Sequence, residues 1–126
     1  MITGISSLET KDFVSSFDKG QDKTIFKIAP LTSSLQIYIS KMLSGDASNS
    51  IEAVVEAFKF GVKDIINLKD SSGNFIKFET LSKPIRGNNY NVVSDKIIEL
   101  LPLNVLSEVG AAILKIGNLE DDEAKN

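Results

Sequence analysis

The chain contains no cysteine and no histidine. The first absence excludes disulfides, thiolate nucleophiles and cysteine-ligated zinc or iron–sulfur centres. The second removes the side chain that titrates nearest neutrality and most often ligates transition metals. An enzyme built from the remaining residues would need a carboxylate or lysine with a strongly shifted pKa, or a hard cation held by oxygens. No glycine-rich phosphate loop of the Walker or dinucleotide type is present, and no Gly-x-Ser-x-Gly elbow. No apolar run approaches the ~20 residues that a bilayer crossing takes. The first residues show no positive segment followed by an apolar one, and there is no Asn-x-Ser/Thr sequon. Together these gaps predict a protein without catalytic residues, cofactor or metal, and without a membrane partner.

What is present fits one globular domain. There are 126 residues, 42% hydrophobic and 25% charged, enough for a single hydrophobic core. A net charge of −3 argues against nucleic acid as a partner, because such binding is driven by clustered lysine and arginine.

Residues 1–22 are polar, with Phe13, Val14 and Phe17 as the strong anchors. They read as an N-terminal arm or a short helix. The domain proper spans 23–118, and 119–126 form a charged C-terminal tail. Thr24 to Ala29 has the β-branched and aromatic content of a strand that Pro30 ends. A helix over about 32–44 follows, with Thr32 as N-cap and Ser44-Gly45 as its stop. In residues 50–66, Ile51, Val54, Val55, Phe58, Val62, Ile65 and Ile66 keep a 3.6-residue period and predict one long helix. Gly61 costs that helix about 1 kcal/mol relative to alanine, which a close contact with a neighbouring backbone would explain, as would chance.

Asp70-Ser71-Ser72-Gly73 predicts a turn between two short strands. Residues 82–93 read as a loop. Ser94 is placed to cap a short helix, Pro102 suits the first turn of another, and Gly117-Asn118 stop it. The resulting fold class is α+β: about four helices packed on a small two- to three-stranded antiparallel sheet.

Several groups carry side chains suited to chemistry. Asp46, Ser48 and Ser50 alternate like the start of a calcium loop, but lack the glycine and glutamate such a loop needs. They read as turn chemistry, as does the Asp70 turn. Glu52 and Glu56 lie one helical turn apart, opposite the apolar stripe, and read as a solvated face. Lys83, Arg86 and Tyr90 combine cations with a ring, but read as an exposed connector. Phe58, Phe60, Phe75 and Phe78 read as core, although Phe60 falls off the stripe, where an apolar ring marks a partner surface. Phe60, Arg86 and Tyr90 are thus the candidate partner contacts.

The order of segments resembles a known group. A strand ends in Ile28-Ala29-Pro30-Leu31-Thr32, and a helix carries Phe58-Lys59-Phe60-Gly61-Val62-Lys63. Asn67-Leu68-Lys69-Asp70-Ser71-Ser72-Gly73-Asn74 follows, then Val93-Ser94-Asp95-Lys96-Ile97-Ile98-Glu99-Leu100-Leu101-Pro102 and the acidic end. Across about residues 24–126 this is similar to small tailed-bacteriophage morphogenesis proteins, some described as tail assembly chaperones. Members often carry an aromatic residue shortly after the glycine matching Gly61, where this chain has Asp64-Ile65-Ile66.

The resemblance implies a non-enzymatic bacteriophage protein in virion or tail assembly, acting as assembly chaperone or minor structural component. It implies other phage structural or assembly proteins as partners, the chain itself as a homo-oligomer, and host cytoplasm or the virion as location. The alternative is a small phage inhibitor that binds a host enzyme or defence complex. An enzyme would instead have to gather Glu52, Glu56, Asp64 and Glu99 in one pocket.

Overall fold

A computed structural model describes residues 9–42 and 47–117. The elements run β1 (Lys11–Phe13), β2 (Ile25–Ile28), α1 (Ser33–Ser40), α2 (Ala47–Gly61) and β3 (Val62–Ile66). Then come β4 (Thr80–Ile85), β5 (Asn88–Val93), α3 (Asp95–Leu100) and α4 (Leu103–Ile116). The fold is α+β, with four helices and two small antiparallel sheets, ordered β1-β2-β3 and β4-β5. The predicted stop of α1 at Ser44-Gly45 and the acidic tail lie outside the described residues, as does Asp46.

Helix α2 is the centre of the molecule. It packs most extensively on α4, and also meets β5, α1 and β3. Ala53, Ala57 and Gly61 recur every four residues and are fully buried or nearly so, a ridge of small residues that admits a close neighbour. The approach is tightest at two glycines. A Cβ on Gly110 would lie 2.2 Å from the Val54 carbonyl oxygen, and one on Gly61 would lie 2.4 Å from Ile113 Cγ2. Gly61 does meet a close neighbour, but it is the Ile113 side chain of α4 and not a backbone.

The long helix predicted over 50–66 ends at Gly61, and Val62–Ile66 form a strand. Periodicity could not separate the two, because Val62, Ile65 and Ile66 fit both readings. Glycine weakens the helix at that point, and three β-branched residues then favour the pleat. Phe26 opposes Ile65, Lys27 opposes Asp64 and Ile28 opposes Val62, with a bulge that leaves Lys63 over. The Ala29 amide donates to the Gly61 carbonyl at 2.9 Å, which ties the end of β2 to the end of α2. On the other edge, Lys11–Phe13 pair with β2, and Lys27 forms an ion pair with Asp12. The N-terminal segment thus supplies a docked strand there, where one helical turn was the other option.

Residues 82–93 are not a loop. They lie in the β4–β5 hairpin, joined by Arg86-Gly87 at φ 51° and 84°, the left-handed pair that a two-residue type I′ turn requires. Ile85 faces Asn88 and Pro84 faces Asn89. In this turn the pair next to the loop exchanges both hydrogen bonds and the following pair none. Pro84 therefore forfeits no ladder bond, and it removes a donor from the free edge of β4. That is why a proline beside three asparagines does not disrupt the strands here.

Thr32 caps α1, its hydroxyl accepting from the Leu35 amide at 3.5 Å. Ser94 holds the N-cap position of α3, but its buried hydroxyl makes no cap bond and has no partner among the described residues. Its carbonyl accepts from Ile97 and Ile98. Gly117 ends α4 in right-handed geometry, where Gln36 Nε2 donates to its carbonyl at 3.1 Å. The core runs through both sheets and all four helices, from Phe26 and Ile28 through Ala57 and Phe58 to Val93, Ile97 and Ile113. Phe26 and Phe58 meet edge to face, with centroids 5.9 Å apart.

Gly110→Ala should destabilise the fold by about 1–3 kcal/mol, since overpacking against a backbone oxygen outweighs the ~1 kcal/mol gain in helix propensity. Urea titration measures this. Equal or greater stability in the variant would show that α2 and α4 can separate without cost.

Candidate functional site

Of the three residues singled out from the sequence, Phe60 is corrected first. It is 1% exposed, so its ring offers no surface to a partner. The reason is that α2 is covered on more than one side. Phe60 lies between Tyr38 of α1 and Tyr90 of β5, with ring centroids 6.0 and 5.8 Å away and both pairs edge to face. Lys83 of β4 reaches over Phe60 and Tyr38, at 5.7 and 5.9 Å from the centroids. Its ammonium lies 3.4 Å from Glu56, which also lies 3.5 Å from Lys59.

Glu56 is therefore not on a solvated face: its side chain is 15% exposed. Tyr90 and Lys83 are half-buried against this group, while Arg86 stands apart at the exposed turn. The structure unites Phe60, Tyr90 and Lys83 as a clasp holding the β4–β5 hairpin to α2 and α1. It does not bring Arg86 into that group.

The other ionisable groups do not converge. Glu52, Asp64 and Glu99 are exposed on α2, β3 and α3. Among the described residues no three acidic side chains could hold a metal ion. Lys63, the extra residue of the bulge, donates to the Phe60 carbonyl at 2.9 Å, and burial of its ammonium lowers its pKa. Asp70 accepts from the Ser72 and Asn74 amides at 2.9 and 3.0 Å, so its carboxylate serves the turn, with Gly73 at φ 86°.

A concave surface lies elsewhere, where three stretches meet. These are the loop between β1 and β2, the chain that follows β3, and the corner between α3 and α4. The loop is held from both ends. Ser16 donates through its amide and its hydroxyl to Glu108 of α4. Asp18 accepts from the Thr24 amide at 2.8 Å and the Gly20 amide at 3.1 Å. Thr24 Oγ1 then donates to the Asn67 carbonyl at 2.8 Å, and Asn67 takes φ 62° to turn the chain out of β3. Both carboxylates are lowered in pKa. For Glu108 the main cause is the Ser16 hydroxyl, and for Asp18 the Thr24 amide.

Two adjoining hollows result. The smaller, about 150 Å³, is lined by Phe17, Phe26, Leu68, Leu101 and Val105, with Ser15, Asp18 and Thr24 at its polar side. The wider, about 480 Å³, shares Thr24 and Leu68 and is flanked by Phe75, Asp22 and Lys69. Phe17 is 52% exposed and Phe75 70%. Lys69 sits 4.8 Å from the Phe75 ring centroid.

Phe75 thus leaves the core to which the sequence assigned it. Its position was legible in the alternation: Ile76 and Phe78 turn inward, while Phe75 shares the outward side with Lys77 and Glu79. The hollow itself had no such signal, because its lining comes from segments up to ninety residues apart.

No family model, curated protein or solved structure matches the chain. Among the described residues no helix is long and apolar enough to cross a membrane.

Two predictions follow from this geometry. Arg86→Asn should stabilise the hairpin by roughly 0.5–1 kcal/mol, because asparagine tolerates the left-handed conformation better. A lower denaturation midpoint would contradict the type I′ assignment. The second concerns acid. Glu108 and Asp18 have folded pKa values below their unfolded ones, so they contribute stability at pH values above the unfolded pKa. That contribution should fade as pH falls below about 4.5 through the folded values. Ser16→Ala should move the Glu108 carboxyl titration, followed by NMR, upward. An unmoved titration would rule out the Ser16 clamp.

Proposed function

We propose that the chain is a non-enzymatic bacteriophage protein of virion and tail assembly, working through protein contacts as an assembly chaperone or minor structural component. The observation that supports this best is the paired hollow with two exposed aromatic rings at its rim. Exposed aromatic rings beside a hollow are a feature of protein-binding sites. Among the described residues Glu52, Asp64 and Glu99 lie on separate elements, and Glu56 is taken up in an ion-pair group with Lys59 and Lys83. The segment order similar to phage morphogenesis proteins supplies the setting. Its partners are other phage structural or assembly proteins, in the host cytoplasm or the virion.

Affinity capture from infected cells, paired with quantitative mass spectrometry of purified virions, tests the proposal. Tail proteins captured from lysate with the chain absent from virions means a chaperone. A defined copy number in virions means a structural component. Capture of a host enzyme or defence complex with no phage protein would sink both and favour an inhibitor.

A further inference from the structure

We draw no further inference here: the strongest candidate, the open hollow between the β1–β2 loop and the α3–α4 corner with the exposed Phe75 ring beside it, is an unpartnered surface, and nothing in the structure shows what covers it.

Discussion

The close approach of α2 and α4 is the constraint on which the rest of the molecule depends. Gly110 lets α4 lie against the Val54 carbonyl, and Gly61 makes room for Ile113. Two helices this near leave little space between them, so the bulky side chains of α2 are directed to its flanks. Phe58 goes toward Phe26 of the first sheet, and Phe60 toward Tyr90 of the hairpin and Tyr38 of α1. One helix can then organise two sheets that are not hydrogen-bonded to each other. Neither sheet is large enough to be stable alone. Each gains its stability by covering a flank of α2.

The same approach sets where the chain turns. Gly61 closes α2, gives its carbonyl to Ala29, and hands the backbone directly to β3. The first sheet is thereby fixed to the end of the helix with no loop between them. On the far side, α4 carries Glu108, which holds Ser16 and with it the loop bearing Phe17. The candidate contact surface is thus positioned by the helix pair, although it touches neither glycine. Its recess is roofed by a loop clamped to α4, and walled by Leu101 and Val105 at the start of that helix.

Much of this was legible in local residue patterns. Thr32, the strand around Ile25–Ile28, the Asp70–Gly73 turn and the amphipathic face of α4 all follow from neighbours in sequence. What failed did so for identifiable reasons. The 3.6-residue period of Val62, Ile65 and Ile66 is also compatible with a bulged strand, and only the free edge of β2 decides between them. Pro84 speaks against a strand until the register shows it at a non-bonded position on an outer edge. Phe60 and Glu56 lie off the apolar stripe, and a stripe describes one covered face, whereas α2 has several. Phe75 could have been placed outside by its alternation with Ile76 and Phe78, but a phenylalanine carries a strong prior for the core.

The sequence by itself determined the α+β class, the helix ends at Thr32, Ser94 and Gly117, and the absence of any thiol or imidazole chemistry. These depend on residue type and on spacing within one or two turns of chain. The tertiary structure alone decided where α2 stops, that residues 80–93 form a hairpin, which aromatic rings are buried, and that a hollow forms where Phe17, Leu68 and Val105 meet. Apart from the hairpin ladder itself, those outcomes depend on contacts between residues about twenty to ninety positions apart. Backbone proximity at Gly110 and Gly61 sets their geometry, and no local pattern encodes it.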